Sequence, residues 1–166
     1  YYIRKMMDES NHDFLVNGSY QPWIEFRYAE MMLIYAECLA HEGKYADARN
    51  VVADLRKARF GREDVATPAV SDLETALDLI LKERATELCF EGHRFWDLRR
   101  TGRAAEVLGG KKYNGVLWKK NADGSFTPTA VSCDMGARKY PTKFDAFPIP
   151  QNEISNNSKA IQNPGW

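Results

Sequence analysis

Glu87 and Glu91 are the residues of this sequence best placed by type and spacing to do chemistry. Side chains four apart on a helix are neighbours. Two carboxyl groups about 5–5.5 Å apart serve a retaining glycosidase as nucleophile and acid/base. The same spacing also puts both glutamates in line with Leu73, Leu77 and Arg84, along one stripe of the run 71–102, SDLETALDLILKERATELCFEGHRFWDLRRTG. A stripe shared with leucines faces a core rather than a cleft, and charges leave water only when paired and hydrogen-bonded. The expected arrangement is therefore a structural ion network, in which Arg84, Glu87, Glu91 and Arg94 meet Arg27 and Glu30 of a preceding helix. A carboxylate-pair hydrolase is the competing reading, and it requires both glutamates to line a cleft.

Other chemistries have weaker support. His93 lies two residues from Glu91, and neither His12 nor His41 has a ligand partner at helical spacing, so no metal site is expected, and no cofactor. Cys38, Cys89 and Cys133 form no metal spacing; the first two fall in expected helices as buried thiols and the third in a loop. Arg94, Arg99, Arg100, Arg103, Lys111 and Lys112 form a basic cluster. With 23 Lys and Arg against 23 Asp and Glu, the chain has no global attraction to nucleic acid, and that cluster reads as complement to helix C-termini. Among the aromatics, Trp118 is the first candidate for a ligand contact, because flat rings with polar edges suit sugar faces. Tyr28, Tyr35, Phe90, Phe95 and Trp96 read as core.

The elements that must position these groups are mainly helical. A length of 166 residues and a hydrophobic share of 44% fit a single domain with its own core. Residues 1–6 allow a short strand before a loop. The run 24–42, IEFRYAEMMLIYAECLAHE, is apolar around most of its circumference and reads as a central helix packed on several sides. Gly43 stops it, and a second helix from 44 is closed by Gly61, giving a repeat-like αα-hairpin over 24–61. The turn AHEGKYADA is similar to that of a tetratricopeptide repeat. A TPR-type peptide-binding adaptor is thus a further reading, and it needs more such hairpins. In 71–102, Ser71 and Glu74 offer a capping box, and Gly92 divides the stretch into a core helix pair. Residues 113–131 read as a β-hairpin turning at 121–124, and 132–166 as a long irregular strapping tail with one helical turn near 151–155. No apolar run approaches the roughly 18 residues needed to span a bilayer. The chain opens at Tyr1 with no methionine, signal peptide or lipidation motif, and both ends read as cut from something larger.

Three blocks in order, FRYAEMMLIYAECLAHEGKYADA (26–48), KERATELCFEGHRFWDLRRTG (82–102) and FPIPQNEISNNSKAIQNPGW (147–166), resemble the SusD/RagB family of outer-membrane nutrient-binding lipoproteins. The resemblance spans nearly the whole chain and departs from the family pattern at Ala85 and Thr86. It implies the C-terminal portion of a larger non-enzymatic protein, with Arg27, Glu30, Glu83, Arg84, Glu87, Glu91, Arg94, Asp97 and 99–102 as scaffold positions. It further implies an oligosaccharide or peptide ligand and a SusC-like TonB-dependent transporter as partner. The location implied is the extracellular face of the outer membrane, held by a lipid anchor on an N-terminal part outside this sequence.

Overall fold

The computed structural model describes residues 5, 6, 8, 21–133 and 135–166. The strand expected over residues 1–6 lies mostly outside them, and Lys5 and Met6 sit in a turn. The described residues form six α-helices, one 3-10 helix and one two-stranded antiparallel hairpin. The chain divides into two compact units, Tyr1–Arg94 and Phe95–Trp166.

The first unit is built on three helices, α1 (Tyr28–His41), α2 (Tyr45–Phe60) and α3 (Leu73–Glu87), each packed against the other two. Between α1 and α2 the turn works through small residues. Gly43 takes φ 77°, which costs glycine nothing, and the Lys44 amide reaches back to the Leu39 carbonyl at 2.9 Å. Ala48 is buried just beyond, so the helices approach closely. Gly61, at φ 64°, ends α2 in the same left-handed way. A capping box starts α3, one residue later than expected. Asp72 is the N-cap, its carboxylate accepting the Thr75 amide at 2.8 Å, while the Asp72 amide donates to the Thr75 hydroxyl at 3.3 Å. A carboxylate accepts more strongly than the Ser71 hydroxyl, and that decides the frame.

Leu33, Val52 and Ile80, one from each helix, are fully buried at the centre of the cluster, among alanines that keep the backbones near. Several expectations fail around this core. α1 begins at Tyr28 rather than Ile24, because Arg27 is extended, at φ −143° and ψ 157°. Two neighbouring helices cover one side of α1, burying Ala29, Glu30, Leu33, Ala36, Leu39 and Ala40. Its opposite face is exposed, with Tyr28 at 80% and Tyr35 at 59%, so α1 is not packed on several sides by the described residues. Phe90, Phe95 and Trp96 are likewise exposed rather than core, as are Cys38 and Cys89.

The second unit follows from within α4 (His93–Arg100), which contains the boundary, through α5 (Ala104–Leu108) to the hairpin. Strands β1 (Asn114–Lys120) and β2 (Phe126–Ser132) pair in register, Trp118 opposite Pro128 and Lys120 opposite Phe126. After a 3-10 helix (Thr142–Asp145) comes α6 (Gln151–Asn156). The tail is stitched to itself: the Trp166 indole donates to the Lys143 and Ala146 carbonyls at 3.0 and 2.9 Å, and the Asn163 amide donates to the Phe147 carbonyl at 2.6 Å. Arg99 organises this unit, its guanidinium 4.2 Å from the Phe147 ring centre and its Nη2 donating to the Asp145 carbonyl at 2.6 Å.

Truncating a fully buried side chain of the three-helix cluster leaves a cavity. Ile80→Ala is expected to lower unfolding stability by about 2–5 kcal/mol. Urea titration followed by circular dichroism measures it, and a loss near zero would show that the cluster is not the core.

Candidate functional site

The side chains singled out by type and spacing converge where α3 ends. Glu87 is the last residue of α3 and Glu91 lies in the following turn, not on a continuing helix. That turn is shaped by two left-handed residues, Phe90 at φ 66° and Gly92 at φ 84°. Arg27, held extended before α1, spans both carboxylates. Its Nη1 donates to Glu87 Oε1 at 2.6 Å, its Nε to Glu91 Oε2 at 2.7 Å and its Nη2 to the Glu87 carbonyl at 2.5 Å. Arg59 of α2 donates from Nε to Glu87 Oε1 at 2.8 Å, and Lys5 pairs with Glu91 while also donating to the Glu87 carbonyl at 2.6 Å. Two carboxylates are thus served by three cations.

Burial alone would push the Glu87 carboxyl up, yet hydrogen bonds from Arg59 and Arg27 outweigh it and hold it below the ordinary carboxylate range. Glu91 follows the same pattern, with burial opposed and exceeded by hydrogen bonds from Arg27 and Lys5. For Arg27, burial lowers and the bonds to Glu91 and Glu87 raise, with a net rise. An open cleft of about 420 Å³ adjoins the cluster, lined by Met6, Ile24 and Thr86 as well as the charged groups. A glycosidase pair needs one carboxyl raised so that it can deliver a proton near neutral pH. Here both are depressed and both are occupied by cations, so the cluster does not supply a general acid.

The remaining expected network residues sit elsewhere. Glu30 is buried on α1 and its Oε1 lies 3.6 Å from His93 Nδ1, a pair that is ionic only when the histidine is protonated. Arg84 is buried on α3. Arg94 is exposed, and its Nη1 donates to the Leu81 carbonyl at 3.2 Å. Sequence reasoning missed Lys5, Arg56 and Arg59. Arg56 Nε donates to Glu83 Oε2 at 2.7 Å, so Arg56 and Arg59 of α2 form a ladder with Glu83 and Glu87 of α3. Spacings of three on one helix and four on the next were the signal that could have found it. Among the described residues no group of three potential metal ligands occurs; His12 lies outside them.

Trp118 belongs to the Phe95–Trp166 unit, half-exposed on β1 of the hairpin. The sequence matches the family model of the SusD family over residues 1–166. The chain belongs to the SusD family. SusD-family proteins are non-catalytic binding proteins, which agrees with two carboxylates locked by cations. A SusD-like protein of Formosa agariphila is 39% identical over 105 residues, covering 57% of this chain and 20% of the relative. The starch-binding protein SusD of Bacteroides thetaiotaomicron is 29% identical over 141 residues, covering 85% of this chain and 21% of that protein. In structure, the chain is similar to a SusD-like protein from Bacteroides fragilis, with a TM-score of 0.72 at 30% identity, over 88% of this chain and 26% of that one. The chain therefore spans about a fifth of those curated SusD relatives.

Removing the shared cation exposes two carboxylates to partial burial. Arg27→Met is expected to cost about 3 kcal/mol or more, much of it recovered when Glu87→Gln and Glu91→Gln are added. Chemical denaturation of the single and triple variants checks this, and equal losses would mean that the charges are not coupled. The pH dependence has a definite sign. Because the folded-state values of Glu87 and Glu91 are depressed, their contribution is complete above the unfolded carboxylate range, about pH 4.3. It is lost as pH falls through the folded values. The melting temperature should therefore drop on acidification below about pH 4 more steeply in the wild type than in the Glu87→Gln, Glu91→Gln variant.

Proposed function

We propose that this protein is part of an extracellular glycan-binding SusD-type lipoprotein that works with a SusC-like TonB-dependent transporter of the outer membrane. The Tyr1–Arg94 unit serves as scaffold, and Arg27, Glu30, Arg84, Glu87, Glu91 and Arg94 act as structural residues rather than as a reaction centre. Attachment to the membrane is through a lipid anchor elsewhere in the full-length protein. The observation that carries this reading is the match to the SusD family along all 166 residues. A relative named as starch-binding supports a carbohydrate rather than a peptide as the ligand class. Trp118 is the proposed ligand contact in this chain, because its indole is 52% exposed on a hairpin whose neighbouring residues leave both faces open.

Isothermal titration calorimetry of the full-length protein against a panel of polysaccharides tests this. At least one is expected to bind saturably, and Trp118→Ala should weaken it about tenfold, as loss of one stacked ring does. Failure of every polysaccharide would sink the glycan reading. An unchanged affinity in Trp118→Ala would remove that residue from the site.

A further inference from the structure

Charge is not spread evenly along this neutral chain. The unit Phe95–Trp166 holds 11 Lys and Arg against 6 Asp and Glu, a net of +5, which the Tyr1–Arg94 unit offsets with 12 against 17. Within that unit the two strands of the hairpin carry positive charge alone. Neither β1 (NGVLWKK) nor β2 (FTPTAVS) contains an acidic residue, and β1 ends in two lysines. The acid in the connecting turn, Asp123, is turned inward on the loop. Its Oδ1 accepts the Ser125 amide at 2.9 Å and the Ser125 hydroxyl at 2.6 Å.

Register sorts these side chains by face. Trp118 pairs with Pro128 and Lys120 with Phe126, and residues directly opposite or two apart share one face of an antiparallel pair. One face therefore gathers two aromatic rings, a proline and a lysine ammonium within the reach of neighbouring cross-strand positions. Trp118 and Phe126 are 52% and 57% exposed, and Lys120 and Pro128 are exposed as well. Apolar rings stack on the C–H face of a pyranose, and an ammonium at the rim favours a ring that bears an anionic substituent. A neutral glycan would use the rings and take only hydrogen bonds from the ammonium, without the charge attraction.

We infer that the Trp118, Lys120, Phe126 and Pro128 face of the hairpin takes an anionic glycan, whose sugar ring stacks on the aromatics while its carboxylate or sulfate group meets Lys120. This rests on the glycan-binding reading above and narrows its ligand class. The shared chemistry is a pyranose with a fixed negative charge, and either a uronate or a sulfate ester supplies it.

The test is calorimetry of the full-length protein with three probes: polygalacturonate, a sulfated galactan and neutral dextran. At least one of the two anionic probes is expected to bind more tightly than dextran, and which of them does identifies the source of the charge. That binding should weaken as salt rises from about 0.05 to about 0.5 M, because exposed charge pairs are screened. Lys120→Gln should weaken it about threefold, the scale of one exposed ion pair, without affecting any dextran binding. Equal binding of neutral and anionic probes, or no effect of Lys120→Gln, overturns the anionic class while leaving the glycan reading intact. Binding of no polysaccharide, these three or the wider panel, overturns both. Sedimentation velocity of wild type and Trp118→Ala provides a separate check: a dimer that the substitution abolishes would assign this face to a second copy and overturn the inference.

Discussion

The first unit depends on one constraint: the Arg27 guanidinium must satisfy two carboxylates that sit together where α3 ends. Glu87 and Glu91 bring like charges into a partly buried place, which is unfavourable until a planar, multiply donating cation lies between them. Arg27 meets that need with three of its nitrogens on two carboxylates and one carbonyl. Its own backbone conformation follows, since the extended residue that reaches across cannot also be the first turn of α1. The start of one helix and the end of another are thus joined by a single side chain.

Arginines repeat this service at two further irregular places. Arg49 and Arg56 of α2 donate to the carbonyls of Thr67, Pro68 and Ala66, fastening the connection that leads to α3. In the second unit Arg99 does the same at Asp145, while its face lies against Phe95, Trp96 and Phe147. Carbonyls outside helices and strands need donors, and the guanidinium has enough of them to serve several at once.

Much of this was legible because it is local. The glycine stops at Gly43 and Gly61, the Asn-Ala-Asp-Gly turn and the helical turn after Pro150 each rest on residues adjacent in sequence. The three-block resemblance was legible for the same reason, and the family match extends over residues 1–166. That charges aligned with leucines require counterions could also be read from Arg84, Glu87 and Glu91. Which cations would supply them was harder to read, because Arg59 follows only once α2 is set beside α3, and Lys5 sits in a turn outside any periodic element. The aromatic positions misled for another reason. A pattern reports which face a helix is suited to bury, and Tyr28 and Tyr35 have that character although the neighbouring helices leave them exposed. A chain that spans about a fifth of its curated SusD relatives can present such faces without covering them.

Phe90 remains in an unusual state, a bulky residue with φ 66° where most side chains crowd their own backbone. Such a conformation costs on the order of 1 kcal/mol and persists only where surrounding bonds over-determine it. Here the over-determination comes from hydrogen bonds that pin the carbonyls of Glu87 and Cys89 from outside the turn. The electrostatic clamp and the left-handed turn therefore meet at the same two carbonyls, so the turn is tied to the charges that Lys5 and Arg27 bring to it.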